Sequence, residues 1–195
     1  KAWSPTYSSK LHRSFYFIKY AVPYCIEYRE IYRTILDSEL FYKATSISVL
    51  SIGCGAMLDF IGFIYALREI NPHSTWAYHG IDIVDWECKE ISNAPNANIK
   101  FTCKGIGDIS TEELNNHYDI IIFPKSISDI PSTEINTFIS SLHKNILPNT
   151  LIFYQKEVDH QQTMIIWIKY AIPSNHIMNI ILYKRIASLA KDVLK

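Results

Sequence analysis

Val49-Leu50-Ser51-Ile52-Gly53-Cys54-Gly55 is the stretch on which the reading of this chain turns. An apolar run of strand character ends in Gly-x-Gly, and a helix-forming segment, 58–70, follows at once. Glycine accepts the positive φ of a tight turn and lets a ligand approach the backbone, because no Cβ stands in the way. The amides that open the following helix favour an anionic group. A second strand, 76–84, carries Asp82 near its end, twenty-seven residues past Gly55. Strand, glycine turn, helix, then a strand bearing a carboxylate is the layout of a nucleoside-cofactor site in a doubly wound fold.

The alternation continues outward from that unit. Further strands are expected at 98–105, 119–123 and 151–154, with helices at 11–36 and 133–145 and a short turn of helix near 112–116. A short helical segment is also expected near 86–91. Asp119-Ile120-Ile121-Ile122-Phe123 is a continuous apolar run, as expected for a central parallel strand covered on both faces. Alternation of this length predicts an α/β fold with a doubly wound, mostly parallel sheet and right-handed crossovers. An N-terminal helical extension over 1–45 precedes the Rossmann-like domain, 46–195. Pro23 is expected to kink or divide the first helix. Segments 163–171 and 177–183 read equally as strands or helices.

The dinucleotide fingerprint asks for a third glycine at position 58, which is Leu58, and no Gly-Lys-Ser/Thr follows the turn as a P-loop requires. What remains resembles the class I S-adenosylmethionine-dependent methyltransferases, whose first motif often reads Val-Leu-x-Ile-Gly-Cys-Gly. The resemblance covers residues 47–155. It departs at Ser51, where many members carry an acid, and at Met57, where many carry a third glycine. Loss of the acid removes one anchor for the cofactor's methionine end, and Met57 narrows the loop.

The resemblance implies S-adenosyl-L-methionine as cofactor, held by Gly53, Cys54 and Gly55, by Asp82 at the ribose diol and by Ile83 against the adenine. Asp108, with Ile109 beside it, corresponds to the family's acidic contact to the adenine amino group, although Asp108, Ser110 and Thr111 also suit helix capping. Phe123 closes the cofactor set at the end of the fourth strand. There Phe123-Pro124-Lys125 lacks the polar residue of DNA-adenine methylases and the cysteine of pyrimidine C5 methylases. Direct in-line transfer survives, helped by positioning. Lys125, Ser126, Ser128 and Asp129 lie where an acceptor should meet the methyl group, and none is singled out as catalytic. The resemblance also implies a closing antiparallel hairpin, for which few residues remain.

Formal net charge is zero, but its distribution is uneven. Residues 1–36 carry six Lys and Arg against two acids, residues 160–195 five against one, and the middle eight against sixteen. Tyr16, Tyr20, Tyr24, Tyr28 and Tyr32 recur every four residues along the first helix. Basic, aromatic ends suit an RNA acceptor; solvated lysines and core tyrosines are the plainer reading. An inert subunit that binds RNA or a partner protein, and a small-molecule or protein methyltransferase, stay open beside it. Cys25, Cys54, Cys88 and Cys103 form no metal-ligand pattern, so no metal is expected, and they read as reduced, buried thiols of a cytoplasmic protein. The apolar stretch 164–182 is interrupted by Lys169, Pro173 and His176, so no membrane is expected.

Overall fold

The computed structural model describes residues 7, 9–87, 97–114, 117–124, 126, 130–145, 150–158, 161–168 and 179–184. Helix α1 (Lys10–Leu36) leads into strand β1 (Ser46–Ile52), helix α2 (Leu58–Ile70) and strand β2 (Thr75–Asp82). Strand β3 (Ala97–Cys103), one turn of α3 (Thr111–Leu114), β4 (Ile120–Phe123), α4 (Ser132–Asn145) and β5 (Leu151–Val158) follow. Two further strands, β6 (Gln161–Ile168) and β7 (Asn179–Lys184), complete one sheet in the order β3-β2-β1-β4-β5-β6-β7. The first five pair in parallel, and β6 and β7 run antiparallel. Within the described residues the ambiguous C-terminal segments are both strands, over 163–168 and 179–183, and the chain does hold two closing antiparallel strands. Most of the expected helix at 86–91 lies outside the described residues.

Period-two alternation splits the core into two layers. Ile47 and Val49 of β1, Tyr78 of β2 and Ile120 and Ile122 of β4 face α1 and α2. Leu50, Ile52, Ile81, Ile121 and Phe123 face the opposite way, onto Ile106, Leu114 and Phe138. All four residues of β4 are buried, as a strand between β1 and β5 requires. Asp119 ties the edge of this pair: its carboxylate accepts from the Ser48 amide at 2.7 Å and the Ser48 hydroxyl at 2.9 Å.

Helix α1 runs undivided through Pro23. Its second half buries Tyr28, Ile31, Tyr32, Ile35 and Leu36, and crosses α2 where Gly62 sits against the Tyr28 backbone. Its first half carries Tyr16, Tyr20 and Tyr24 as a half-buried ladder. The tyrosine stripe is thus core at one end and half-buried at the other.

Candidate functional site

The turn after β1 has the backbone its glycines suggest: φ is 69° at Gly53 and 52° at Gly55. Met57 also sits in the left-handed region, at φ 56°, which is uncommon for a side-chain-bearing residue. Its side chain does not narrow the loop, as expected from sequence, but is wholly buried in the α1–α2 core. The backbone therefore keeps a glycine-like bend while the side chain gains apolar burial.

The turn's amides are used internally. Gly53 and Cys54 donate to the Ile81 carbonyl at 2.7 and 3.2 Å, and Met57 donates to the Cys54 carbonyl at 2.9 Å. Gly55 donates to Asp82 Oδ2 at 2.8 Å. These four amides are thus engaged, three by the β2 edge and the fourth by the turn itself.

Asp82 is the hub of this edge. Its other oxygen accepts from the Val84 amide at 2.8 Å, and the Trp86 indole N–H faces the same carboxylate. The side chain is 9% exposed. Burial raises its pKa, and the amides of Val84 and Gly55 with Trp86 pull it back down. Each carboxylate oxygen has a second lone pair, so the group can still accept from a ligand hydroxyl.

An aromatic roof closes over the turn. A Cβ on Gly55 would meet the Trp86 ring at 3.8 Å and the Tyr16 hydroxyl at 4.0 Å. Tyr16 packs on Trp86 at 5.2 Å between centroids, and Tyr7 packs on both. Burial, then the neighbouring Tyr24, Tyr7 and Asp82, raise the Tyr16 phenol far above its usual value, so it stays neutral. Arg13 bonds Glu87 at 2.8 Å and the Tyr7 carbonyl at 3.1 Å, pinning the start of α1 to the loop after β2.

Farther along the edge, Ile83 is 51% exposed. Ile83 Cδ1 and Asp108 Oδ2 both border Gly105, 3.9 and 3.3 Å from where its Cβ would stand. Asp108 lies in a single 3-10 turn with its side chain exposed. Ser110 and Glu113, not Asp108, form the capping box of α3, with Ser110 N donating to Glu113 Oε2 at 2.9 Å. Ile109 is half-buried at the margin of the second core layer. Cys54 is buried over Gly80, and Phe123 points into the core, edge-on to Phe138 at 5.9 Å.

The structure thus gathers Gly53, Gly55, Asp82, Ile83 and Asp108 along one sheet edge, and turns the side chains of Cys54 and Phe123 inward. Lys125, Ser128 and Asp129 lie outside the described residues. Ser126 folds back on the turn, its hydroxyl donating to the Ile52 carbonyl at 2.7 Å and its Cβ lying 2.3 Å from the position of a Gly53 Cβ. Among the described residues no cluster of His, Cys, Asp and Glu could hold a metal. The thiols are not uniformly buried: Cys54 is, Cys25 is half-buried, Cys103 is exposed, and Cys88 lies outside the described residues.

One buried acid escaped the sequence. Asp59 stands in the first turn of α2, where a surface acid complements the helix dipole, yet it is 1% exposed. Tyr78 donates to its Oδ2 at 2.8 Å. The hydroxyls of Ser51 and Tyr32 face the same carboxylate without closing a hydrogen bond of regular geometry. Burial pushes the Asp59 carboxyl up to about 6. His79, held between the Tyr118 hydroxyl and Thr102 Oγ1 at 2.9 Å each, is pushed by burial down to about 4.

These two groups oppose one another in pH. Between about pH 4 and 6 the folded chain holds the Asp59 proton more tightly than the unfolded chain, so stability falls as pH rises through that window. His79 does the reverse: its contribution is complete above pH 6.5 and is lost as pH falls toward 4. Asp59→Asn keeps the shape and removes the buried charge. Urea unfolding should show the variant more stable by about 2–3 kcal/mol at pH 7.5, little changed at pH 4, and sloping downward from pH 6.5 to 4 as the His79 contribution is lost. A variant no more stable than the parent at pH 7.5 would refute the assignment.

With this geometry in hand, known proteins give a consistent comparison. No family model matches the chain, and no curated protein is similar to it in sequence. Solved structures do match. The plantazolicin methyltransferase, in complex with S-adenosylhomocysteine, superposes with a TM-score of 0.52 at 20% identity, over 77% of this chain and 55% of that one. Human N-acetylserotonin methyltransferase, in complex with S-adenosylmethionine, gives 0.53 at 13% identity, over 78% of this chain and 40% of the human one. A protein-L-isoaspartate O-methyltransferase-like structure from Plasmodium falciparum, holding S-adenosylhomocysteine, gives 0.50 at 14% identity, over 78% and 68%. The fold is that of a class I methyltransferase. The chain spans from 40% to 68% of the length of these three structures.

Proposed function

We propose that this chain binds S-adenosyl-L-methionine along the β1–β2 edge and transfers its methyl group. The observation that carries the reading is Asp82, a carboxylate at the end of β2 that bridges the glycine turn and retains acceptor capacity toward a ribose diol. Ile83 and Asp108, meeting beside Gly105, supply an apolar surface and an acceptor suited to an adenine and its amino group. Tyr16 and Trp86 wall the space above Gly55, where aromatic faces favour a cation. The cofactor brings an electrophilic methyl on sulfonium, so the chain's own part is to bind, orient and exclude water.

RNA is the acceptor we favour. The Tyr20–Tyr24 stack, with ring centroids 4.8 Å apart, is half-exposed, and the Lys19 ammonium lies over Tyr20 at 4.9 Å, a surface on which a base can stack. The basic N-terminal count supports this less than it promised, because Lys10 and Arg13 face Glu87, and Arg29 and Arg33 face Glu30 or Glu69. An inert subunit is the second reading, favoured by Ser51, whose buried hydroxyl stands where many family members carry an acid.

Calorimetry with S-adenosylhomocysteine tests the cofactor. Heat with a micromolar dissociation constant is expected; none at millimolar ligand, with folded protein, overturns the proposal. Methyl transfer to an RNA pool, with binding that weakens as salt rises, is expected for the RNA acceptor. Cofactor binding without transfer would shift the reading to the inert subunit.

A further inference from the structure

Helix α1 has two apolar sides, and the body of the protein uses one. Opposite the tyrosine ladder, Leu11, Phe15, Ile18, Val22 and Ile26 stand 50–76% exposed. Their spacing of four, three, four and four residues keeps them on one side of the helix, along about 22 Å at 1.5 Å per residue. Side chains this open present on the order of 600 Å² of apolar surface, the upper end for the largest patch on a monomer.

We propose that this stripe is the seam of a homodimer in which two copies of α1 pack antiparallel. The occupant follows from the area and the spacing: 11 and 26, and 15 and 22, are mirror pairs about the midpoint between Ile18 and Lys19, with Ile18 next to that midpoint. A two-fold axis there sets Leu11 opposite Ile26, Phe15 opposite Val22, and Ile18 beside its own copy. Each apolar residue then meets an apolar residue, the self-complementarity an isologous interface requires. Lys19, next to the axis, sits on the flank with its ammonium over the Tyr20 ring. Pairing two copies removes on the order of 1,200 Å² from water, the lower edge of stable specific interfaces. A phospholipid surface fits less well, since Lys10, Arg13, Arg29 and Arg33 already face acids of the same chain. The dimer does not rest on the cofactor assignment.

Sedimentation velocity of the full chain from about 1 to 100 μM should show a monomer–dimer equilibrium in this range, as expected of a small interface. Ile18→Asp should raise the dimer dissociation constant about 30-fold or more, the effect of losing a central anchor. Val22→Ser should do so less strongly. Leu40→Asp, an exposed apolar position off the stripe, should change nothing. Circular dichroism checks that each variant stays folded. The register has its own test: Phe15→Glu and Val22→Lys should each dissociate alone, and mixing the two should restore a dimer, because only antiparallel pairing brings 15 opposite 22. A monomer at every concentration, a dimer indifferent to Ile18→Asp, or no rescue on mixing overturns the proposal. A monomer that pellets with phosphatidylcholine–phosphatidylglycerol vesicles would instead give the stripe to a lipid surface.

Discussion

Asp82→Ala should weaken S-adenosylhomocysteine binding by about 100- to 10,000-fold while leaving the chain folded. The size follows from the role proposed for the carboxylate. A buried, charged acceptor reaching two ribose hydroxyls makes two charge-assisted hydrogen bonds, each worth about 1.5–3 kcal/mol. The same oxygens accept from the Gly55 and Val84 amides. The alanine therefore also strands two backbone donors, and a modest loss of stability, about 1–2 kcal/mol, should accompany the binding defect. Asp82→Asn separates the two roles. It retains one acceptor oxygen but turns its NH₂ toward one of the amides, so an intermediate loss of about tenfold is expected. Calorimetry alongside thermal melts reads both terms. A folded Asp82→Ala protein that binds within threefold of the parent would remove Asp82 from the site.

The largest effect on stability is expected at Gly62, far from any ligand. A Cβ there would lie 2.6 Å from Tyr28 Cβ, 2.7 Å from the Arg29 amide nitrogen and 2.8 Å from the Tyr28 carbonyl carbon. These are backbone or near-backbone atoms of Tyr28, which is fully buried, and of Arg29, so no side-chain end can swing aside. Gly62→Ala must lift α1 from α2 along a crossing that buries Tyr28, Tyr32 and Phe63. Overpacking of this kind costs about 3 kcal/mol or more, against a helix-propensity gain of about 1 kcal/mol. A net loss of about 2–3 kcal/mol corresponds to a fall of roughly 5–10 °C in melting temperature for a chain of this size. The same lift moves Tyr16 away from Trp86, so binding at the glycine turn should weaken with it. Calorimetric melting decides the matter: an unchanged or higher melting temperature would mean that the crossing is looser than these distances state.

The parts of the site legible in the sequence are those set by backbone chemistry. Gly53 and Gly55 announce positive φ because side-chain-bearing residues rarely adopt it. The run Ile120-Ile121-Ile122-Phe123 announces burial on both faces. What stayed hidden depended on direction. Met57 was expected in the loop, but its αL backbone sends the side chain into the core. Asp59 occupies a position where an acid normally complements a helix terminus at the surface, and α1 lying across α2 buries it instead. The internal use of the turn's amides is hidden too: the Ile81 carbonyl and Asp82 engage three of them.

By itself, then, the order of apolar strands, glycine turn and amphipathic helices determined the parallel α/β architecture, because periodicity and φ preferences are local properties of the chain. Only the tertiary structure decided how α1 is used. One half of it is sunk into the core, the next segment roofs the glycine turn with Tyr16 and Trp86, and an apolar stripe is left outward. A helix of this length is apolar or aromatic on several sides, and its pattern does not say which side meets the sheet. That choice rests on the close approach allowed at Gly62 and on the Arg13–Glu87 pair, contacts between residues distant in sequence.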